Sequence, residues 1–193
     1  MVSERLRSLA RLARYLPDRV LHALRRRSTA RRLRRLPPPE SVLFICLGNI
    51  CRSPYAAAVA RRLVPAGVRV ESAGFIGPGR PSPVEAVTAA GERDIDLTPH
   101  RSQSVTPEIL QSTDLVVVMD QAQRDRIASA WPALAGRTVL LGDFDPEPIA
   151  RRAIPDPVEQ PLEAFRACYA RVERCTRALC GLWDERGAGD AGS

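Results

Sequence analysis

The chain has 193 residues and is 45% hydrophobic, which is enough for one α/β domain with a packed core and some additional sequence. All 29 basic residues are arginine, and 12 of them lie within residues 1–39, where the only acidic residues are Glu4 and Asp18. That segment has a formal charge of +10, whereas the rest of the chain has −3. The basic isoelectric point therefore describes the N-terminal segment and says little about the domain that follows.

The composition also argues against export and against membrane insertion. Arginines interrupt the N-terminus before any apolar stretch of signal-peptide length, and no apolar run approaches the length of a transmembrane helix. The five cysteines are odd in number and lack the spacing of a disulfide framework. We therefore expect a cytoplasmic protein, with an Arg-rich mitochondrial transit peptide as the lower-ranked interpretation of the N-terminus.

The N-terminal segment is predicted to be an amphipathic helical extension. Pro17 is expected to divide it into two helices, and the Pro37-Pro38-Pro39 run is expected to form a stiff linker. We predict a basic extension over residues 1–39, a folded domain over residues 40–186 and a disordered tail over residues 187–193. The apolar residues that recur at helical spacing are Leu6, Leu9, Ala13, Leu16, Val20 and Leu24.

From residue 41 onwards, short apolar runs alternate with helical segments. This alternation predicts an α/β fold, a small doubly wound sheet of about four parallel strands with helices on both faces. Ligands bind such sheets beyond the carboxyl ends of the strands. Buried strands are predicted at Val42–Cys46, Val68–Ala73, Leu115–Met119 and Thr138–Leu141. Helices are predicted at Pro54–Val64, Val84–Ala90, Pro107–Gln111, Gln121–Ala130 and Glu159–Trp183.

The first predicted strand leads directly into a short loop that begins at Cys46. A helix is expected to start at Pro54 with Ser53 as its N-cap, because these residue types favour those positions. The loop would direct backbone N–H groups into its hollow at the positive end of the helix dipole, which makes a cradle for an anion. Gly48 and Asn49 are residue types that tolerate the left-handed backbone angles of a tight loop.

This loop carries the residues of a phosphate-ester hydrolase. The N–H groups, the helix terminus and the Arg52 guanidinium favour the thiolate form of Cys46 and so make it a nucleophile. Arg52 presents a planar fork that matches two phosphoryl oxygens, and Ser53 can donate a hydrogen bond to the sulfur. A bare C-x5-R pattern is usually structural, but its setting between an apolar strand and a capped helix favours the catalytic interpretation. The residues assigned to phosphate binding are Leu47, Gly48, Asn49, Ile50, Cys51 and Ser53.

The segment VLFICLGNICRSP, residues 42–54, closely resembles the low-molecular-weight protein tyrosine phosphatases. The resemblance implies hydrolysis of a phosphotyrosine protein or a small arylphosphate through a phosphocysteine, without metal or cofactor. It implies that Cys46 is the nucleophile, Arg52 the phosphate ligand and Asp156 the general acid. It also implies that Ser53 is the partner of the thiolate and that Asn49 organises the loop. The similarity extends over about residues 41–184, through Ser72-Ala73-Gly74, His100-Arg101-Ser102, Val118-Met119-Asp120 and Ile154-Pro155-Asp156-Pro157.

The general acid can also be argued from the chemistry. A phenolate leaving group has a conjugate-acid pKa of about 10, so its departure at neutral pH benefits from a proton donor. Two Asp-Pro pairs qualify, at Asp145 and Asp156. Asp156 is favoured because it precedes the last long helix, as the family's acid does, whereas Asp145 is typical of a turn. Asp120 follows the third strand and is expected to support the site, and His100 is expected to orient a loop or to be structural.

The sequence departs from the family at the entrance of the expected site. Many members carry aromatic residues directly after the Asp-Pro pair, where this chain has Val158 and Glu159. Phe75 therefore becomes the candidate for contact with a phenyl ring. The arginine phosphatases that resemble this family place Thr at the position of Ile50, and the larger apolar side chain favours an aryl ester over a guanidinium.

Two other functions fit parts of the sequence. Thioredoxin-coupled arsenate reductases use the same cradle but need two further resolving cysteines, and none occurs between Arg52 and Ala167. The basic extension fits contact with an anionic membrane surface, which would make the protein peripheral at the membrane, or with a protein partner. Nucleic acid is disfavoured because Tyr15 is the only aromatic residue of the extension. Helices that simply cover a flank of the domain are an equally good interpretation.

Overall fold

A four-stranded parallel sheet forms the centre of the computed structural model, which describes residues 2–187, with side chains over residues 18–183. The strand order is β2-β1-β3-β4, and every pair of neighbouring strands is parallel. The predicted fold class is therefore confirmed. The strands are β1 (Ser41–Cys46), β2 (Arg69–Gly74), β3 (Leu115–Val118) and β4 (Thr138–Leu140).

Strand β1 is buried on both faces of the sheet. Val42 and Phe44 belong to one hydrophobic core, and the alternate residues Leu43 and Ile45 belong to a second core. Successive side chains of a strand point to opposite faces, so a strand covered on both sides must be apolar throughout. The register pairs Cys46, the last residue of β1, with Gly74 of β2 and so places the cysteine at the carboxyl edge of the sheet.

Helices cover both faces of this sheet. Helices α2, α3 and α6 contribute to the core around Phe44, whereas α4 and α5 contribute to the core around Ile45. The predicted helices are present, with boundaries that differ by up to four residues. The helices within residues 2–187 are α1 (Val2–Leu33), α2 (Arg52–Arg61), α3 (Val84–Gly91), α4 (Pro107–Gln111), α5 (Gln121–Ala130) and α6 (Leu162–Gly187).

The ends of α2 and α6 show the largest differences from the prediction. Helix α2 begins at Arg52 without a side-chain cap, so the predicted N-cap role of Ser53 is wrong; its hydroxyl donates to the sulfur of Cys46 instead. Helix α6 begins at Leu162 because Glu159 has a left-handed φ of 61°, which no helix accepts. At its other end α6 includes Gly187, and the rest of the predicted disordered tail lies outside the described residues.

The N-terminal extension forms one helix and not two. Helix α1 continues through Pro17, so the predicted division is wrong. A proline inside a helix costs roughly 3 kcal/mol, because it removes one hydrogen bond and crowds the preceding turn. The next residue, Asp18, accepts a hydrogen bond from the backbone N–H of Arg152 at 3.1 Å. This contact anchors the helix to the domain where the proline weakens it.

The second half of α1 packs against the domain. Leu33 is 4% exposed and belongs to the core around Phe44. The Nε2 of buried His22 donates to the backbone oxygen of Asp145 at 2.8 Å, and Arg32 donates to the backbone oxygen of Gly136 at 2.6 Å. Residues 18–33 therefore cover a flank of the domain. Among the helices within residues 2–187, none has the length and apolar character needed to cross a membrane.

Candidate active site

The loop between β1 and α2 surrounds the sulfur of Cys46. This residue is the last of β1 and is buried. Its Sγ accepts one hydrogen bond from the backbone N–H of Asn49 at 3.2 Å and another from the hydroxyl of Ser53 at 3.1 Å. The hydrogen bond from Ser53 is the one predicted from the sequence. Two donors aimed at one sulfur stabilise a thiolate over a thiol.

Asn49 holds this loop together. Its φ of 51° lies in the left-handed region that Asn tolerates, as predicted. Its side-chain Nδ2 donates to the hydroxyls of Ser53 and Ser72, each at 2.9 Å, and its Oδ1 accepts from the backbone N–H of Gln103 at 2.8 Å. Asn49 is fully buried, so each of these bonds satisfies a polar atom that water does not reach. The amide group thus links the loop to β2 and to residue 103.

Arg80 supports the loop from behind Gly48. Gly48 and Asn49 both tolerate left-handed backbone angles, and of the two only Asn49 has a positive φ. A Cβ at Gly48 would lie 2.9 Å from Nη2 of Arg80, so a larger residue there would displace the end of the Arg80 side chain. The same Nη2 donates to the carbonyl oxygen of Gly48 at 2.7 Å. Arg80 therefore fixes the orientation of the peptide bond between Gly48 and Asn49.

His100 and Gly74 hold the loop from the β2 side. The Nε2 of His100 donates to the backbone oxygen of Asn49 at 2.6 Å, so His100 orients the loop. Burial lowers the pKa of His100, and the nearby arginines add to this effect, although the hydrogen bond to Asn49 opposes it. A Cβ at Gly74 would lie 2.8 Å from the backbone nitrogen of Asn49 and 2.9 Å from the backbone oxygen of Leu47. The end of β2 therefore needs a glycine for the loop to approach so closely.

Arg52 joins the loop to the segment that contains Asp156. Its guanidinium is 3% exposed, and its Nη1 donates to the backbone oxygen of Ile154 at 3.0 Å. Its Nη2 donates to the carboxylate of Asp156, and the carboxylate of Asp120 lies 3.9 Å from Nη1. The Nε is buried without a hydrogen-bond partner in the part of the chain that the structure describes. These contacts bring Asp120 and Asp156 beside the loop between β1 and α2.

Asp145, the other Asp-Pro aspartate, lies elsewhere. Its side chain is 1% exposed and pairs with Arg171 at 3.0 Å and with Arg174 at 2.8 Å, both on α6. Burial alone would raise the pKa of Asp145, but the hydrogen bonds from Arg174, Arg171 and the backbone of Glu147 hold it below its usual value. Asp145 therefore stays ionised at neutral pH and anchors α6, away from Cys46.

Asp120 caps the helix that forms one wall of the site. Its Oδ1 accepts a hydrogen bond from the backbone N–H of Gln123 at 2.9 Å, and its Oδ2 accepts from the side chain of Gln123 at 2.5 Å. These bonds fix the carboxylate at the start of α5, on the side that faces Arg52. An anion at a helix N-terminus is favourable because of the helix dipole.

A cleft of about 400 Å³ opens beside Arg52 and Asp156. Phe75 is the aromatic residue of its lining, and the guanidinium carbon of Arg126 lies 4.2 Å from the centre of the Phe75 ring. Such a cation–π contact steadies the ring. Leu47, which is 45% exposed, adds a second apolar contact to the wall. Val158 and Glu159 are exposed and do not line the cleft.

The back of the loop rests on two tyrosines. The hydroxyl of Tyr169 on α6 donates to the backbone oxygen of Cys51 at 3.2 Å. Its ring stacks on that of Tyr55 on α2, with 3.9 Å between ring centres. Burial raises the pKa of the Cys51 thiol well above its usual value, so this neighbour of Cys46 stays protonated. Across the described side chains, no group of three or more His, Cys, Asp or Glu residues is arranged to hold a metal ion.

Sequence reasoning did not identify several residues that hold the loop. Ser72, Arg80, Gln103 and Tyr169 lie between 23 and 118 residues from their loop partners, so no local spacing connects them to it. Only Ser72 had a usable signal, as a polar residue near the carboxyl end of a predicted buried strand. The other three depend on how the chain folds back over the loop.

Comparison with known proteins places residues 41–186 in the family described as low molecular weight phosphotyrosine protein phosphatase. A probable low molecular weight protein-tyrosine-phosphatase, EpsP of Ralstonia nicotianae, is 39% identical over 137 residues, which are 70% of this chain and 90% of EpsP. The low molecular weight protein-tyrosine-phosphatase Wzb of Escherichia coli is 32% identical over 141 residues, which are 72% of this chain and 91% of Wzb.

Solved structures with the same fold include two kinds of phosphatase. Vibrio vulnificus Wzb in complex with benzylphosphonate superposes with a TM-score of 0.68 at 30% identity, over 75% of this chain and 99% of that one. The YwlE arginine phosphatase from Geobacillus stearothermophilus superposes with a TM-score of 0.70 at 29% identity, over 79% of this chain and 97% of that one. The fold alone therefore does not separate the two substrate classes.

Proposed function

The chain belongs to the low molecular weight phosphotyrosine protein phosphatase family and is a cysteine-dependent protein tyrosine phosphatase, and we propose that Cys46, Arg52 and Asp156 carry its catalysis. The arrangement of the loop supports this assignment best. A cysteine sulfur that accepts two hydrogen bonds lies at one end of the loop, and at the other end an arginine contacts the aspartate of the Asp156-Pro157 pair. The buried ion pairs of Asp145 with α6 support Asp156 over Asp145 as the acid.

In the first step, the thiolate of Cys46 attacks the phosphorus of the substrate. A sulfur–phosphorus bond forms while the bond from phosphorus to the tyrosine oxygen breaks, and the departing oxygen takes a proton from the carboxyl group of Asp156. The Arg52 fork moves from its contacts with Ile154 and Asp156 onto two phosphoryl oxygens. The N–H groups of the loop stabilise the charge on the remaining oxygens.

In the second step, the carboxylate of Asp156 accepts a proton from a water molecule. The water oxygen attacks the phosphorus, the sulfur–phosphorus bond breaks, and inorganic phosphate is released. The sulfur leaves as a thiolate, which is stabilised by the hydroxyl of Ser53 and the N–H of Asn49. These two donors lower the barrier because a stabilised thiolate is a better leaving group.

We propose phosphotyrosine in a protein as the physiological substrate and small arylphosphates as surrogates. Phe75 and Leu47 offer apolar contacts to a phenyl ring at the mouth of the cleft. Phosphoarginine is the second candidate, because the fold matches an arginine phosphatase equally well. Ile50 weighs against it, since an apolar side chain in place of the Thr of those enzymes offers no hydrogen bond to a guanidinium.

The cellular setting is also a proposal. A cysteine nucleophile requires a reducing compartment, and Cys46 and Cys51 form no disulfide in the structure, which supports a cytoplasmic location. Arg19, Arg26, Arg27 and Arg31 of α1 are exposed. These arginines could bind an anionic membrane surface or an acidic protein partner, in addition to the substrate bound at the cleft.

The nucleophile is tested by Cys46→Ser. We expect turnover of p-nitrophenyl phosphate to fall by at least about 10³-fold, because a serine hydroxyl is not ionised at neutral pH. Arg52→Lys should be nearly as damaging, since a point charge does not reproduce the bidentate fork. Thermal unfolding of both variants, followed by circular dichroism, controls for loss of fold. Residual activity above a few per cent in a folded Cys46→Ser protein contradicts the phosphocysteine mechanism.

The substrate class is tested by parallel kinetics. We expect kcat/KM for a phosphotyrosine peptide to exceed that for phosphoarginine by at least about tenfold, because the cleft wall is apolar. Arsenate with thioredoxin is assayed beside them, and no reduction is expected because the chain lacks the resolving cysteines. Faster turnover of phosphoarginine would replace the substrate assignment and leave the mechanism intact.

A further inference from the structure

A second cavity, of about 500 Å³, lies between α1 and the outer edge of the sheet at β4. We refer to it as the arginine groove. Its charged lining residues are Arg25, Arg32, Arg124, Asp143 and Arg152. The groove exists only because α1 packs on the domain, since one of its walls is formed by α1 residues between Leu21 and Arg32.

Two of these four arginines are already neutralised. The guanidinium of Arg152 makes two hydrogen bonds of 2.7 Å to the carboxylate of Asp143, and Arg25 pairs with Asp18 at 2.7 Å. Asp143 is the acidic residue of the lining, and Arg152 therefore already neutralises its charge. The remaining arginines determine what the groove attracts.

Arg32 and Arg124 carry uncompensated charge. Arg32 donates to the backbone oxygen of Gly136, which is a neutral partner. Over residues 18–183, the structure shows no hydrogen bond or ion pair of the Arg124 guanidinium. Burial, together with the charge of Arg124, lowers the pKa of Arg32, although Asp143 opposes the shift. Two half-buried cations thus face one space, and an anion between them would relieve their repulsion.

The arginine groove adjoins the active-site cleft. Gln123 and Ala153 line the cleft, whereas their chain neighbours Arg124 and Arg152 line the groove. The first turn of α5 and the backbone at residues 152–153 therefore form a wall between the two. Neighbouring Cα atoms are about 3.8 Å apart, and an extended arginine side chain adds several ångströms to that distance. The groove therefore opens roughly 10–20 Å from the phosphate site. An extended peptide covers that distance in about three to six residues.

We propose that the arginine groove binds the carboxylate side chains of an acidic segment of the phosphoprotein substrate, about three to six residues from the phosphotyrosine. The inference rests on the proposed function of the neighbouring cleft. A membrane surface fits the groove less well, because Arg32 and Arg124 are recessed in a concave space, whereas the exposed arginines of α1 lie outside it. Charge complementarity and the shared wall both favour a peptide that continues from the cleft.

The test compares two pairs of phosphotyrosine peptides on the full chain at low ionic strength. In each pair, one peptide carries three glutamates and the other three glutamines, placed three to six residues before or after the phosphotyrosine. We expect the glutamate peptide of one pair to have a kcat/KM about three- to tenfold higher, mainly through a lower KM. The difference should disappear in 0.5 M salt, because exposed charges are then screened.

Two variants locate the effect. Arg124→Gln removes no side-chain hydrogen bond or ion pair that the structure shows over residues 18–183, and with it the ratio between glutamate and glutamine peptides should fall to about one. Arg124→Glu should invert the ratio. Arg27→Gln is the matched control, because it removes the same charge from an exposed position of α1 outside the groove; here the ratio should remain as in the parent protein.

Several outcomes overturn the proposal. Equal kcat/KM for both peptides of each pair would do so, as would a preference for glutamate that survives Arg124→Gln or that Arg27→Gln reduces equally. Binding to anionic phosphatidylserine vesicles that is lost in Arg124→Gln, without a peptide preference, would assign the groove to a membrane instead. Failure of the proposed function is a distinct result, since the parent protein would then hydrolyse neither the glutamine peptides nor p-nitrophenyl phosphate.

Discussion

The peptide group between Gly48 and Asn49 links Arg80 to the sulfur of Cys46 through two hydrogen bonds. Its carbonyl oxygen, from Gly48, accepts a hydrogen bond from Arg80, and its N–H, from Asn49, donates to the sulfur. In a trans peptide the C=O and the N–H point in opposite directions, so a cation on the oxygen polarises the N–H toward the sulfur. Arg80 therefore acts as a positioning residue although it lies 34 positions beyond Cys46 in the sequence.

Arg80→Gln should lower kcat/KM for p-nitrophenyl phosphate by about tenfold, the equivalent of one hydrogen bond of roughly 1.4 kcal/mol. Alkylation of Cys46 by iodoacetamide at pH 6 should slow in parallel, because the loop N–H is less polarised. A purely structural role would lower the melting temperature without changing alkylation. Arg80→Lys should restore part of both rates, and unchanged alkylation in Arg80→Gln would contradict the role.

Asp156→Asn should show the leaving-group dependence of a lost general acid. We expect turnover of phenyl phosphate to fall by about 10²- to 10⁴-fold, and turnover of p-nitrophenyl phosphate to fall much less, because nitrophenolate leaves without a proton. Steady-state kinetics with both esters measure the two losses. Equal losses for the two esters, or this dependence in Asp145→Asn instead, would reassign the acid.

At the scale of elements, prediction from the sequence was most accurate where a single local residue pattern determines the structure. The four buried strands and the anion cradle after β1 followed from apolar runs and from the residue types of one loop. Prediction from the sequence was least accurate where contacts between residues distant in the chain override local secondary-structure preferences. The Ser53 hydroxyl binds sulfur instead of capping α2, and α1 continues through Pro17 because the domain holds the residues after it. The hydrogen bonds of Arg80, Gln103 and Tyr169 to the loop could be identified only in the folded structure.

The short 3₁₀ helix Leu141–Phe144, α1 and α6 meet at Asp145. Its carboxylate pairs with Arg171 and Arg174 of α6, and its backbone oxygen accepts from His22 of α1. The pKa of Asp145 lies below its unfolded value of about 3.9, so the ionised carboxylate stabilises the fold above that pH. The contribution is lost as the pH falls through the lowered pKa of the folded state.

Asp145→Asn should therefore destabilise the protein in a pH-dependent manner. At pH 7 we expect the free energy of unfolding to fall by about 2–4 kcal/mol, because two arginines lose their buried partner. The difference from the parent protein should shrink between about pH 5 and pH 3, as the parent loses the same interaction. Urea unfolding at pH 7, 5 and 3.5 measures it. A difference that does not change with pH would mean that the ion pairs contribute little.

At the scale of the whole molecule, the extension is part of the folded unit over residues 18–33. Leu33 fills the core, and Asp18 and His22 bind segments that precede Asp156 in the chain. Over residues 18–183, the hydrogen bonds and ion pairs of Asp18 and His22 do not involve Cys46, Arg52 or Asp156. The sequence could predict the amphipathic helix but not whether a membrane, a partner or the domain itself covers its apolar side.

Deletion of residues 1–39 should therefore separate stability from catalysis. We expect the free energy of unfolding to fall by about 2–4 kcal/mol, because the site of Leu33 is emptied and a flank of the core is uncovered. Activity on p-nitrophenyl phosphate should stay within about twofold of the full chain below the melting transition. Leu33→Ala in the full chain serves as the control for core loss. A folded truncation with little activity would show that the contact of Asp18 with Arg152 positions the Asp156 segment.

The docking of α1 also sets an order of events during synthesis. Its partners are made late, since Gly136, Asp145 and Arg152 follow their α1 contacts by 104, 123 and 134 residues. At a translation rate of about 5–20 residues per second, roughly 5–25 s pass between the synthesis of α1 and the synthesis of these partner residues. During that interval a strongly basic helix emerges without its acidic and apolar neighbours, beside a ribosome rich in phosphate groups. Closure of the N-terminal flank therefore waits for the synthesis of residues 136–152, and until then the nascent chain carries a basic segment without these partners.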